Sequence, residues 1–312
     1  MFERRFWMEN FDVLIIGAGP AGLTTALYAS RGNLKVLILE KGAPGGKLVS
    51  QSKIENWPGD EIIDGATLAL RMYKHPLKFG AKHRFCDVDF IESNSEFDHK
   101  VFCKDGKAFH GRSVVVATGM VERKPLDIKN YLNFEGKGVS YCVVCDGPFY
   151  ANKPSIVIGG GNSAVEESSF LASIVSKVYV LVRDDKFIAE QMLIDDLKKN
   201  KNVEILFNAR VLELQGKTEL EAAIIEHNGI RKTLEIKSLF PYIGFLPATN
   251  FLQKNHKKIL NKINFIEVDR YGQSKIPGIY AVGDVVSKEI RQIVTAASDG
   301  AIVGKILTNR IK

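Results

Sequence analysis

At 312 residues, the chain is longer than a single compact core usually accommodates, so two domains are expected. Its 45% hydrophobic and 25% charged residues are typical of a globular protein, and no apolar run approaches the ~18 residues of a membrane span, which argues against a membrane protein. The net charge of +7 is read as basic residues spread over solvated faces. Lys198, Lys199 and Lys201, for example, have no interleaved aromatic residues, which argues against a nucleic-acid-binding protein.

The segment 1–10 mixes charged and aromatic residues and contains no apolar signal core. A cytoplasmic location is therefore expected. In that compartment cysteines stay reduced unless they have a redox or metal-binding role. This expectation makes any closely spaced cysteine pair informative about function.

The first predicted element is an apolar strand, Phe11 to Ile16, followed by Gly17-Ala18-Gly19-Pro20-Ala21-Gly22 and a helix from Leu23 to Ser30. A second strand, Lys35 to Leu39, ends at Glu40. In such a unit the first glycine permits a tight turn, and the second lets a pyrophosphate approach the backbone. The third small residue allows the helix to pack on the strand. The pattern predicts a dinucleotide site on the helix N-terminus.

Further along the chain, Cys142-Val143-Val144-Cys145-Asp146 is typical of a redox dithiol. A zinc site is not expected, because Cys86 and Cys103 are not spaced as a second pair of ligands. These two cysteines are predicted to be small core residues in strands of the first domain. Asp146 is placed to protonate a departing thiolate, although it also suits the turn that follows. No histidine shows metal-ligand spacing, so no metal is expected.

The glycine pattern then returns. A strand from Ser155 to Ile158 leads into Gly159-Gly160-Gly161-Asn162-Ser163-Ala164, a helix through Ala172, and a strand from Lys177 to Leu181. The first glycine and the residue after the last strand are 23 positions apart in both copies, Gly17 to Glu40 and Gly159 to Val182. Two such units indicate an α/β protein with two Rossmann-like domains and two dinucleotides.

The residues that choose the dinucleotide differ between the copies. Glu40 is well placed to accept hydrogen bonds from a ribose diol, as in FAD or NAD. Val182 can accept none, and it is followed by Arg183, Asp184 and Asp185. A 2′-phosphate requires clustered positive charge, so these residues leave NADPH and NADH both open.

The ordered set of motifs resembles the small-type (low-molecular-weight) thioredoxin reductases over nearly the whole chain. The motifs are the two glycine loops, the cysteine motif, Ala117-Thr118-Gly119 and Ala281-Val282-Gly283-Asp284, together with Gly45-Gly46-Lys47-Leu48, Glu55-Asn56-Trp57-Pro58-Gly59 and Arg291-Gln292-Ile293. The resemblance implies a discontinuous FAD-binding domain, 1–119 and 251–312. A pyridine-nucleotide-binding domain with the disulfide, 120–250, is inserted into it.

The same resemblance implies an enzyme in which electrons pass from NADPH, or NADH, through FAD to the Cys142–Cys145 disulfide and then to thioredoxin. Cys142 would attack the partner and Cys145 would lie nearer the flavin. A homodimer is also implied. The implied FAD contacts are Gly17, Gly19, Pro20, Ala21, Glu40, Lys41, Gly46, Lys47, Leu48, Asn56, Val88, Ala117, Thr118, Gly119, Gly283, Asp284, Arg291, Gln292 and Ile293, and the implied NADP or NAD contacts are Gly159, Gly161, Asn162, Ser163, Ala164 and Arg183.

The chain departs from that family at Val182-Arg183-Asp184 and Ile188, where the family usually carries His-Arg-Arg and a further Arg. In that family, those basic residues hold the 2′-phosphate of NADPH. Without most of them, this sequence also allows NADH or another electron donor. The alternatives are a flavin reductase of similar fold that serves ferredoxin or flavodoxin, and a non-catalytic redox sensor. A ferredoxin or flavodoxin reductase has no need of Cys142 and Cys145.

Overall fold

The computed structural model describes residues 9–311. The segment 1–10, where the sequence predicts no secretory signal, therefore lies largely outside the described residues. Within residues 9–311, no helix has the length and apolar character needed to cross a membrane.

Contacts between residues divide the chain into two units. The discontinuous unit runs up to Val121 and resumes at Pro247, and the inserted unit is Glu122–Leu246. The strands, in chain order, are β1 (Asn10–Ile16), β2 (Val36–Glu40), β3 (Lys82–Phe85), β4 (Val88–Ser95), β5 (Asp98–Cys103), β6 (Ala108–Val116), β7 (Met120–Glu122), β8 (Pro154–Ile158), β9 (Lys177–Leu181), β10 (Val203–Leu206), β11 (Ala209–Gln215), β12 (Ala222–His227), β13 (Ile230–Glu235), β14 (Ser238–Pro241), β15 (Phe245–Pro247) and β16 (Ile279–Ala281).

The α-helices, in chain order, are α1 (Pro20–Arg31), α2 (Gly65–Leu77), α3 (Val143–Asp146), α4 (Asn162–Ala172), α5 (Gln191–Lys198) and α6 (Ile293–Arg310). Short 3-10 helices occupy Gly46–Ser50, Tyr131–Phe134, Gly147–Tyr150, Asn250–Leu252, Lys257–Ile259 and Gly283–Val285.

The discontinuous unit is built on one sheet, in the order β3-β2-β1-β6-β5-β4, with β16 also paired to β6. The strands β3, β2, β1, β6 and β16 are parallel, and β5 and β4 are antiparallel additions. Because side chains alternate along a strand, Leu14 and Ile16 enter one core while Val13 and Ile15 enter the other. Burial on both faces explains why the second half of β1, Val13 to Ile16, is an unbroken apolar run.

Helices α1 and α6 pack closely on one face of this sheet. A Cβ at Gly300 would lie 2.3 Å from the Ala21 carbonyl oxygen, and one at Gly304 would lie 2.7 Å from the Tyr28 Cβ. The two glycines of α6 therefore let its backbone approach α1. This packing brings the C-terminal segment back to the first glycine loop.

The inserted unit contains a parallel sheet, β10-β9-β8-β14, and a separate antiparallel sheet, β11-β12-β13. Strand β8 pairs in register with β9, and α4 follows β8 through the second glycine loop. Val157, Val178 and Val180 of this sheet pack with Val165 and Leu171 of α4. The predicted α/β fold with two Rossmann-type units is confirmed.

The prediction for Cys86 and Cys103 is confirmed for their place in the core and for Cys103 in a strand, and it is wrong in two other respects. The structure joins them in a disulfide, and Cys86 lies between β3 and β4 rather than in a strand. Both residues are nonetheless buried, as predicted. Closing a loop of this size, in which the two cysteines are 17 positions apart, stabilises a fold by about 3 kcal/mol.

Candidate functional site

The predicted redox pair, Cys142 and Cys145, is joined by a disulfide at the single helical turn α3. Cys142 precedes the turn, and its Sγ accepts a hydrogen bond of 3.1 Å from the backbone N–H of Cys145. Val143 is fully buried in the core of the inserted unit and anchors the turn. Cys145 is exposed and Cys142 half-buried, so the pair faces outward from a fixed base.

Asp146, the predicted acid, ends the same turn. Its Oδ2 accepts a hydrogen bond of 2.6 Å from the Ser140 hydroxyl, and its backbone N–H donates to the Cys142 carbonyl oxygen at 3.1 Å. The carboxyl group is therefore held beside the disulfide within the inserted unit. Sequence reading missed Ser140, because a lone serine two residues before a cysteine pair carries no motif.

The first glycine loop has the shape that a pyrophosphate requires. Gly17 has a φ of +105°, and a Cβ there would lie 2.4 Å from the Ala117 carbonyl oxygen, so only glycine fits. Gly19 precedes α1, and its Cβ would meet no atom within 4 Å. Pro20 begins the helix and Ala21 is buried. The open space at Gly19 lies where the unpaired amides of α1 are available to phosphate.

Glu40 ends β2 beside this loop. Its Oε2 accepts from the backbone N–H of Ala18, and its Oε1 accepts from that of Gly42, both at 2.8 Å. Each carboxylate oxygen has a further lone pair, so Glu40 retains capacity to accept from a ribose hydroxyl. Lys41 is exposed next to it. The backbone N–H of Cys86 donates to the Glu40 carbonyl oxygen, and this bond brings the start of β4, at Val88, to the same edge of the sheet.

The segment from Gly45 to Leu48 lies against the first loop. The Gly45 N–H donates to the Ala18 carbonyl oxygen at 2.8 Å, and a Cβ at Gly46 would lie 3.2 Å from the Gly19 Cα. Leu48 is buried in a small cluster of its own. Lys47 lies close enough to Asp284 to oppose the rise in its pKa that burial causes. The structure thus brings together segments that lie far apart in sequence.

Asp284 follows Gly283, where a Cβ would lie 2.8 Å from the Ala21 Cβ at the first loop. Burial raises the pKa of the Asp284 carboxyl above its usual range, and nearby Lys288, Lys47 and Arg291 oppose that rise. Asp299 of α6 accepts from the Gly283 N–H at 2.9 Å and from Lys288 at 2.6 Å, so it fixes this turn. Sequence reading missed Asp299.

The other predicted flavin segments meet at the start of α6. The Asn56 side-chain amide donates to the Gln292 Oε1 at 3.1 Å, although 236 positions separate them. Gln292 and Thr295 form a capping box, and α6 begins at Ile293. Arg291 Nε donates to the Asp284 carbonyl oxygen at 3.4 Å.

At the end of β6, Ala117 continues the strand's contact with β1 through its N–H, which donates to the Ile16 carbonyl oxygen. The Thr118 hydroxyl donates to the Ala248 carbonyl oxygen at 2.8 Å. Gly119 has a φ of +62° and accepts from the Ala248 N–H at 3.0 Å. These bonds tie the two segments of the discontinuous unit to each other.

The second glycine loop repeats the geometry of the first. Gly159 has a φ of +140°, and a Cβ there would lie 2.3 Å from the Tyr242 carbonyl oxygen. Gly161 precedes α4, and its Cβ would meet no atom within 4 Å. Ala164 is buried beneath the loop, while Asn162 and Ser163 are exposed. The loop is therefore suited to a second dinucleotide.

Two carboxylates lie near this loop. The Asn162 side chain donates to Glu190 Oε1 and accepts from the Glu190 N–H, both at 2.9 Å. After β9, the exposed Arg183 lies 3.5 Å from Asp184 (Nε to Oδ1). This ion pair competes with any phosphate for the guanidinium group.

Glu167, on α4, is a buried carboxyl that sequence reading missed. Burial raises its pKa from 4.5 to about 7; the carboxylate of Glu166 acts in the same direction and Tyr242 opposes it. The folded state favours the protonated Glu167 carboxyl. The contribution of this group to the stability of the protein is therefore fully present below the unfolded pKa of 4.5, and it is lost as the pH rises through the folded pKa of about 7.

We expect the Glu167→Gln variant to remove this pH dependence. A shift of this size corresponds to about 3 kcal/mol, so the variant should become more stable than the parent by that order at pH 8 and not at pH 4.5. Urea unfolding across this pH range measures the difference. The control is Glu235→Gln, the same substitution at an exposed position of β13 in the inserted unit, and it should change stability little. Parallel stability curves for the Glu167→Gln variant and the parent would contradict the prediction.

Among residues 9–311, no group of three or more metal-ligating side chains is found. The described residues provide a disulfide, a neighbouring carboxyl group and two dinucleotide loops.

Residues 11–300 match the family model described as pyridine nucleotide-disulphide oxidoreductase. The chain is 56% identical over 303 residues to a thioredoxin reductase of Mycoplasmopsis pulmonis, covering 97% of this chain and 98% of that protein. The structure is similar to a thioredoxin reductase of Lactococcus lactis in its FR conformation, with a TM-score of 0.91, 34% identity and coverage of 96% and 99% of the two chains. It is also similar to the thioredoxin reductase of T. acidophilum, with a TM-score of 0.89, 31% identity and coverage of 97% and 99%.

Proposed function

Because this chain belongs to the pyridine nucleotide-disulphide oxidoreductase family and is a thioredoxin reductase, we propose that it carries electrons from a reduced pyridine nucleotide, through FAD, to Cys142–Cys145 and on to thioredoxin. One observation carries the proposal. A half-exposed disulfide lies in the same unit as an open dinucleotide loop, and the other unit contains a second such loop. A ferredoxin or flavodoxin reductase has no use for that disulfide.

The family uses a flavin and a pyridine nucleotide, and we assign the flavin, as FAD, to the discontinuous unit. Gly17 and Gly19 would leave room for its pyrophosphate, and Glu40 would accept from the ribose. Bound FAD would supply the electron pair that opens the disulfide. Asp284 and the start of α6 would lie along the rest of the cofactor, where Asn56 meets Gln292.

The pyridine nucleotide is assigned to Gly159, Gly161 and Ala164 of the inserted unit, with Asn162, Ser163 and Arg183 beside them. The proposal includes NADPH as donor, with NADH as the alternative. The ion pair between Arg183 and Asp184 leaves little positive charge for a 2′-phosphate. NADH, which lacks that phosphate, is therefore kept as the alternative to NADPH.

At the dithiol, we assign attack on thioredoxin to Cys142. After the disulfide is reduced, the N–H of Cys145 would stabilise a thiolate on Cys142, because the Cys142 sulfur already accepts that hydrogen bond in the disulfide. Cys145 would then resolve the mixed disulfide. Asp146 would accept a proton from the dithiol and donate it to the departing thiolate of thioredoxin.

The test is an assay with oxidised thioredoxin as acceptor and NADPH, NADH or reduced ferredoxin as separate donors, with the thiols on thioredoxin counted. The proposal expects thioredoxin thiols with at least one of the pyridine nucleotides and none with ferredoxin alone. Reduction by ferredoxin and by neither nucleotide would overturn the proposed donor.

The proposal further includes a homodimer and a cytoplasmic location. Sedimentation of the purified holoprotein measures the first, and a mass of one chain would contradict it. Cell fractionation measures the second, and recovery outside the cytoplasmic fraction would contradict it.

A further inference from the structure

Ser140 lies at a backbone position fixed by the sheet of the inserted unit. Its N–H donates to the Leu239 carbonyl oxygen at 3.1 Å, and the Leu239 N–H donates to the Gly138 carbonyl oxygen at 2.8 Å. Leu239 belongs to β14, so the segment 138–140 continues the ladder of that strand. Ser140 is 7% exposed. Its hydroxyl is thus held by the rigid part of the unit, whereas the cysteines and Asp146 lie on the short turn beyond it.

The hydrogen bonds of this hydroxyl have defined directions. The Cys142 N–H can only donate, so Ser140 Oγ accepts from it at 3.2 Å. The hydroxyl hydrogen then goes to Asp146 Oδ2 at 2.6 Å. A chain of two hydrogen bonds therefore leads from the backbone of the first cysteine, through Ser140, to one carboxylate oxygen of Asp146.

We propose that Ser140 is a positioning residue. Its hydroxyl holds Asp146 Oδ2, so that Oδ1 is the oxygen that exchanges protons with the dithiol. The inference rests on the proposed function and adds a residue to it. During thioredoxin reduction, one thiol proton passes to Asp146 as Cys142 forms a bond to a thioredoxin sulfur. The thioredoxin disulfide breaks, and its departing sulfur takes that proton. Cys145 then displaces the second thioredoxin sulfur, loses its own proton to it, and re-forms the disulfide with Cys142.

A role limited to stability would have a different signature. Ser155 and Ser238 form another buried hydroxyl pair in the same unit, at 2.6 Å, between the paired strands β8 and β14. The Ser155→Ala variant therefore measures the loss of a buried serine hydrogen bond alone. It should lower stability without altering the pH dependence of thioredoxin reduction.

The test uses the holoprotein, reduced chemically before mixing with oxidised thioredoxin, and follows a single turnover across pH. The Ser140→Ala variant should slow this step by about 10-fold and move its pH profile to higher pH, because Asp146 loses a charge-assisted hydrogen bond. The Ser140→Thr variant, which keeps the hydroxyl, should restore the profile. In an Asp146→Asn background, Ser140→Ala should have no further effect on the pH profile.

A Ser140→Ala profile equal to that of the parent would overturn the inference, as would an equal change in the Ser155→Ala variant. If Ser140→Ala does not fold, Ser140→Gly and the threonine variant decide the question by the same criteria. Failure of the parent itself to reduce thioredoxin would instead count against the proposed function, so the two failures are distinguishable.

Discussion

The Cys142→Ser and Cys145→Ser variants are each expected to lose thioredoxin reduction by about 1,000-fold or more, because the dithiol forms the covalent bond to the substrate. Binding of pyridine nucleotide and flavin content should be unchanged, since neither cysteine lies in a glycine loop. The second disulfide supplies the matched control. A Cys86→Ser, Cys103→Ser double variant should be less stable but should retain thioredoxin reduction.

The same variants test which cysteine attacks thioredoxin. Cys142 caps the turn through the Cys145 N–H, which favours a thiolate there, although Cys145 is the more exposed of the two. With Cys145→Ser, a mixed disulfide between Cys142 and thioredoxin should accumulate, and mass spectrometry would detect it. Accumulation only with Cys142→Ser would reverse the assignment. Full activity in either serine variant would contradict the dithiol mechanism.

The Gly161→Val variant is expected to raise the Kd for pyridine nucleotide by about 100-fold or more while the protein remains folded. Gly161 has an extended backbone, with φ −93° and ψ 178°, and nothing lies within 4 Å of its Cβ position. Valine therefore fits the protein but fills the space through which phosphates reach the amides of α4. Titration calorimetry with NADPH and with NADH measures the loss directly.

Two further variants make this prediction specific. Ala151→Val places the same side chain at an exposed position of the inserted unit and should leave nucleotide binding unchanged. Gly159→Val should instead destabilise the unit, because its Cβ would clash with the Tyr242 carbonyl oxygen and its φ is positive. Retained nucleotide affinity in Gly161→Val would show that the second glycine loop is not the binding site.

The glycine loops could be predicted from the sequence because local physics requires them. A strand, a turn with φ above zero, an open position and a helix follow one another within a short stretch, and the spacing of 23 residues recurs. The bounds of β9 and the end of α4 agree with the sequence prediction for the same reason. The glycine loops and the bounds of these elements depend on residues that are close together in the chain, so a single sequence is enough to predict them.

Other contacts depend on the tertiary fold. The Cys86–Cys103 disulfide joins the link between β3 and β4 to the end of β5, and no spacing rule distinguishes such a pair from two buried thiols. The meeting of Asn56 with Gln292 was expected only by resemblance, since 236 positions separate them. Ser140, Glu167 and Asp299 gain their importance from burial or from hydrogen bonds that only the folded chain reveals.

The most direct test of the electron path is an anaerobic titration of the flavin-loaded protein with NADPH and, separately, with NADH. The absorbance of oxidised flavin is followed, and the Cys142–Cys145 thiols are then counted by alkylation and mass spectrometry. The proposed path predicts bleaching by at least one nucleotide and two new thiols, on Cys142 and Cys145, with Cys86–Cys103 still oxidised. Bleaching that leaves Cys142–Cys145 as a disulfide, or no bleaching by either nucleotide in a protein that dithionite reduces, would contradict it.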